Sequence, residues 1–133
     1  MILMTVLNVI IHGCVVGSRV VMALFAIRLG ASPFEIGIMI ALYSVPPLCL
    51  GVYTGRITDR YGVHKPMVLG AVLCISGLLL PVLWPSVVPL YFSATTLGLS
   101  FMFYTVAIQN LTGAWGPREE RAKNFSTLSI GYS

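Results

Sequence analysis

Long uncharged stretches, broken by short charged ones, set the pattern of this chain. From Met1 to Ser18 there is no charged side chain, and after Arg19 an apolar run continues from Val20 through Ile27 to Arg28. Ile36 to Gly55 gives about 20 further uncharged residues, enough for one crossing of a bilayer. Pro66 to Pro117 is uncharged for roughly 52 residues, which suits two crossings at about 1.5 Å of rise per residue. The break between those two falls at Trp84-Pro85-Ser86-Val87-Val88-Pro89, where two prolines and an interfacial tryptophan mark a tight hairpin. The pattern predicts four transmembrane helices, at residues 5–29, 34–56, 66–85 and 88–113. The runs lack the alternation of barrel strands, so in lipid they must be helical.

Composition sharpens this picture. Of the 133 residues, 57% are hydrophobic and only 9% charged, against roughly 25% charged in a soluble domain. So few charges cannot clothe a water-facing surface, which excludes a soluble enzyme, a disordered tail and a nucleic-acid-binding module. The net charge of +4 comes from eight Lys and Arg against four Asp and Glu, and the positions of the bases matter more than their sum. Arg56, Arg60 and Lys65 lie between the second and third spans, and Arg118, Arg121 and Lys123 follow the fourth. Only Arg28 lies between the first and second. By the positive-inside rule the even-numbered loops and the N-terminus are expected to be cytoplasmic, in a multi-pass plasma (inner) membrane protein.

The first span has no basic leader region and no Ala-x-Ala cleavage site, so it does not read as a signal peptide. Cys14, Cys49 and Cys74 all fall inside predicted spans with no CxxC, and read as small apolar residues rather than disulfides or metal ligands. No metal cluster, nucleotide-binding loop or nucleophile constellation is present in the sequence, so no cofactor and no catalytic residue is expected. Residues 124–133 form a weakly apolar stretch covering half a bilayer, which reads as the start of a fifth helix.

The most specific segment is Gly55-Arg56-Ile57-Thr58-Asp59-Arg60-Tyr61-Gly62-Val63-His64-Lys65. Its residue types describe a tight turn. Gly55 is expected to end the second helix, Gly62 to supply a backbone conformation that other residues resist, and Asp59 to accept hydrogen bonds from Arg60 or from an exposed helix N-terminus. With Gly55, Asp59, Arg60, Gly62 and Lys65 in that spacing after the second span, the segment resembles the signature loop of the major facilitator superfamily of secondary transporters. The segment Gly116-Pro117-Arg118-Glu119-Glu120-Arg121-Ala122-Lys123 is similar to that family's short loop between helices four and five. Val63 and His64 stand where the family is often basic, and the fourth helix lacks the arginine that many proton-coupled members carry.

The resemblance implies an all-α, polytopic membrane protein. Its four helices would form part of an N-terminal six-helix bundle, with residues 1–133 a partial bundle completed by the remaining helices of a full-length transporter. It further implies alternating access around a site near the bilayer midplane, with the signature loop bracing the two bundles in the outward-facing state.

Arg19 is the candidate for contact with solute. Nine residues from Arg28, it lies roughly 13 Å deeper and near the midplane. An arginine there costs at least ~2.5–3.5 kcal/mol and must face a cavity or a partner. All four acids, Glu35, Asp59, Glu119 and Glu120, are expected in loops or at helix ends. The partner of Arg19 therefore lies elsewhere in a larger transporter, or it is an anionic small-molecule substrate, which guanidinium binds bidentately. Asn8 and His12 share its helical face. Imidazole is the side chain whose charge changes in the neutral range, so His12 is also a candidate for coupling to a proton or other ion; the plainer reading makes Asn8 and His12 interhelical hydrogen-bonding groups. On the fourth helix Thr96, Ser100 and Tyr104 recur every four residues, with Gln109 and Asn110 near the cytoplasmic end; such hydroxyls commonly bond to their own helix. The resemblance assigns cavity lining to the first and fourth helices, which makes Tyr104 a further candidate.

Gly13/Gly17 and Gly51/Gly55 have the spacing that permits close helix approach, and Pro46-Pro47 should kink the second helix. Two other readings stand beside the secondary transporter. One is a small multidrug-exporter-like protein acting as a dimer, which needs a membrane-embedded acid that the first helix lacks. The other is a non-transporting membrane remnant or scaffold.

Overall fold

Each of the four predicted spans forms one α-helix. The computed structural model describes residues 2–114 together with Ala122, Ser126, Thr127 and Ser129. Its helices are α1 (Ile2–Arg28), α2 (Pro33–Tyr61), α3 (His64–Leu83) and α4 (Val87–Ala114). All four are long and apolar enough to cross a membrane. The loop similar to the family's fourth-to-fifth connection (Ala122 excepted) and most of the expected fifth helix lie outside the described residues.

The connections follow from local chemistry. At the end of α1 the Gly30 amide bonds to the Ile27 carbonyl (3.0 Å) and the Ala31 amide to the Ala26 carbonyl (3.0 Å), with Gly30 at φ 79°. This paired ending satisfies carbonyls that the helix leaves open. Three residues later α2 starts with a capping box. The Glu35 amide donates to the Ser32 hydroxyl (3.3 Å), the Ser32 amide donates to the Glu35 carboxylate (2.6 Å), and Pro33 opens the helix.

The second helix runs further than the sequence suggests. Gly55 does not end it; α2 continues six residues to Tyr61. A single glycine costs a helix only about 1 kcal/mol, and the residues beyond keep it going, with the Thr58 hydroxyl bonded to the Thr54 carbonyl (2.9 Å). The chain stops at Gly62, whose φ of 77° and ψ of 172° lie in a region essentially reserved for glycine. Gly62 and Val63 alone then separate α2 from α3.

The third helix is shifted toward its start relative to the expected 66–85. Pro66 falls in the first turn, where no amide hydrogen is needed. At the other end Pro85 pushes Trp84 into an extended conformation (φ −140°), and α3 ends at Leu83. Pro46 and Pro47 lie inside α2, which remains a single helix through them.

At the centre of the arrangement is α4, which packs against α1, α2 and α3. A core of Met22, Ala26, Met39, Tyr43, Leu90, Ala94 and Leu97 joins α1, α2 and α4. The close helix approaches are not at the expected Gly-x-x-x-Gly pairs: Gly13, Gly17, Gly51 and Gly55 all face open space. They occur at Gly70 and Gly77 of α3 against α4, and at Gly98 of α4, where an added Cβ would stand 2.5 Å from the Tyr43 carbonyl oxygen. Outward faces are largely apolar, with Leu48 81% and Val52 74% exposed, as a lipid-solvated bundle requires and a water-soluble one avoids.

Candidate functional site

The polar stripe of α1 turns inward. Asn8 is 1% exposed, and His12 and Arg19 are half-buried. The His12 ring lies against Phe101 of α4, with centroids 5.5 Å apart and planes tilted by 50°. The Arg19 guanidinium carbon stands 5.0 Å from the ring centroid of Tyr43 on α2. Tyr43 is itself fully buried, and its backbone is fixed from the other side by the approach of Gly98. Three helices therefore hold the arginine: α1 carries it, α2 supplies the aromatic face, and α4 keeps that face in place.

Cation–π contact offsets part of the cost of a charge at this depth, by about 0.5–2 kcal/mol. It leaves the hydrogen-bonding capacity of the guanidinium unused. The Arg19 Nε is buried without a hydrogen-bond partner among the described residues, as are the Asn8 Nδ2 and the Thr105 hydroxyl. Each such group costs about 1–3 kcal/mol if it stays unmatched. The Arg19 Nε and Asn8 Nδ2 are obligate donors and the Thr105 hydroxyl can donate, so the inward sides of α1 and α4 present a surplus of N–H and O–H groups. An acceptor-rich ligand or water fits that surplus.

The acids near the ends of α2 are engaged elsewhere. Glu35 belongs to the capping box, and Asp59 accepts a hydrogen bond from the Asn110 side-chain amide of α4 at 2.5 Å. The sequence pointed to Arg60 or a helix N-terminus as the partner of Asp59, whereas within the described residues it is Asn110. Arg60 and Lys65 instead lie at Tyr61, with the guanidinium carbon 5.7 Å and the ammonium 4.8 Å from its ring centroid. The signature segment is thus the last two turns of α2, a two-residue turn and the first residues of α3, tied to α4 through Asp59.

The α4 hydroxyls do not line the space beside α1 as a stripe. Thr96 bonds to the Phe92 and Ser93 carbonyls (both 3.0 Å), and Ser100 donates across to the Gly70 carbonyl of α3 at 2.7 Å. Tyr104 is half-buried one turn beyond Ser100 and three residues from Phe101. A separate cleft of about 530 Å³ opens between α1 and α3, lined by apolar residues such as Met22, Phe25, Leu78 and Pro81. It carries no polar side chain to orient a solute. Tyr43 and Phe101 were not singled out from sequence, because an aromatic residue in an apolar span carries no signal until the helix crossing is known.

The described residues thus hold four helices long and apolar enough to cross a membrane, as in a polytopic membrane protein, with the half-buried Arg19 on the first. The family model of the Major Facilitator Superfamily matches residues 2–133, and the chain belongs to that superfamily. No curated protein and no solved structure matches it.

Proposed function

We propose that this major facilitator protein moves a small anionic solute by alternating access, with Arg19 as the group that meets the anion. One observation carries the reading: a half-buried arginine at the middle of α1 rests over Tyr43 with its Nε unmatched. A carboxylate or phosphate would take up the free guanidinium edge bidentately while the ring keeps the other face. Asn8, His12 and Tyr104 are the further contacts we assign to the solute path, His12 doubling as the carrier of a coupled proton. In this reading the N-terminus and the α2–α3 turn face the cytoplasm at the plasma (inner) membrane, as the placement of Arg56, Arg60 and Lys65 supports. The remaining helices of the transporter complete the cavity. Gly55, Asp59, Arg60, Gly62 and Lys65 act as the gate brace, with Asn110 holding Asp59 on the α4 side.

The test is protection against thermal unfolding of the purified protein by a panel of small carboxylates and phosphate esters, each beside a neutral isostere. At least one anion is expected to raise the midpoint, and Arg19→Gln to abolish that rise. Protection by neutral isosteres alone, or protection unchanged in Arg19→Gln, contradicts the proposal.

A further inference from the structure

We infer that the α2–α3 turn holds the headgroup of one anionic phospholipid, with an acyl chain laid along α3. A cleft of about 420 Å³ is lined by His64, Lys65, Val68, Leu69 and Val72. The cleft surface itself is apolar, and basic side chains stand beside one end of it. At one end stand His64 and Lys65, both exposed, with the Lys65 ammonium against the Tyr61 ring and the Arg60 guanidinium near the same ring. At the other end Val68, Leu69 and Val72 are 62%, 48% and 57% exposed and wholly apolar.

Charge complementarity selects the headgroup. Arg56, Arg60 and Lys65 surround a segment whose single acid, Asp59, takes its hydrogen bond from Asn110 on α4. The Arg60 guanidinium and the Lys65 ammonium both lie at the Tyr61 ring, so two cations stand at this turn for a phosphate to meet. Geometry selects a lipid over a free phosphate. From Lys65 to Val72 the helix rises roughly 10 Å, so the apolar floor continues from the cations toward the bilayer interior. Only a ligand with a hydrocarbon chain attached to its phosphate fills both parts. Basic residues at a membrane surface each favour an anionic headgroup by a several-fold factor, and an exposed groove beside them converts that general attraction into a seat. The inference needs only the membrane-spanning helices and is independent of the Arg19 reading.

Native mass spectrometry of the chain released from micelles tests it, with phosphatidylglycerol, phosphatidylcholine of the same acyl chains, or glycerol 3-phosphate added. The chain is expected to retain phosphatidylglycerol well above phosphatidylcholine, and glycerol 3-phosphate is expected not to displace it. Lys65→Gln should lower the preference about five-fold, and Val72→Asn should lower retention of both lipids. Arg28→Gln, at the other end of the bundle, should leave the preference unchanged. Equal retention of the two lipids by the unsubstituted chain overturns the inference. Displacement by glycerol 3-phosphate overturns it too, assigning the cations to a soluble phosphate. An equal loss in Arg28→Gln would do the same by showing a nonspecific charge effect.

Discussion

A guanidinium in the middle of a membrane-spanning helix needs compensation, and Arg19 finds part of it in the face of Tyr43. The ring rather than the hydroxyl supplies that attraction. Tyr43→Phe is therefore expected to keep anion affinity within about two-fold, while Tyr43→Leu weakens it about five- to ten-fold, the equivalent of the lost cation–π contact. Titration of the anion identified by thermal protection, against both variants, measures the split; equal losses in the two would place the hydroxyl, not the ring, in contact with solute. Arg19, His12 and Asn8 were legible in the sequence because polar residues among valines and isoleucines stand out by cost alone. Tyr43 was not, because its relevance depends on where α2 crosses α1. Asn110 stood out as a polar residue, but its partner Asp59 is 51 positions away, and no local pattern links them.

At the scale of elements, α4 is the strut on which the others lean, and at Gly98 it comes against the backbone of α2. Placing a Cβ at Gly98 would bring it to 2.5 Å from the Tyr43 carbonyl oxygen, and that neighbour is backbone. Gly98→Ala is expected to cost about 1–3 kcal/mol of stability, and to weaken anion binding as well because it shifts the residue that faces Arg19. Unfolding in mild detergent and anion titration read the two effects. Gly13→Ala, which meets open space, should change neither. The four helices themselves were legible from charge spacing, since a bilayer requires long uncharged runs and the chain has them. Their ends were less so. Gly55 reads as a stop, yet Gly62 is the residue in a glycine-only conformation, and the two are distinguished only by backbone angles. The Gly-x-x-x-Gly pairs misled for a related reason: spacing says that a helix can approach closely, not that a neighbour is there.

For the whole molecule, the asymmetry of the basic residues and the inward arginine make one joint statement about direction. In the proposed orientation, with the α2–α3 turn in the cytoplasm, the α3–α4 turn at Ser86 would lie outside. In a cysteine-free background, Ser86→Cys is expected to react with an impermeant maleimide added to intact cells, and Val63→Cys only after lysis; the reverse pattern inverts the orientation. Membership of the superfamily follows from the match across residues 2–133, while the solute rests on Arg19. Uptake into proteoliposomes by the protein, together with the further helices we propose for its transporter, tests that claim most directly, comparing the protecting anion with its neutral isostere. The account predicts saturable uptake of the anion, little of the isostere, and at least a ten-fold loss in Arg19→Gln with membrane insertion intact, in line with about 1.4 kcal/mol or more for a lost charged contact. Unchanged uptake kinetics in Arg19→Gln would contradict it.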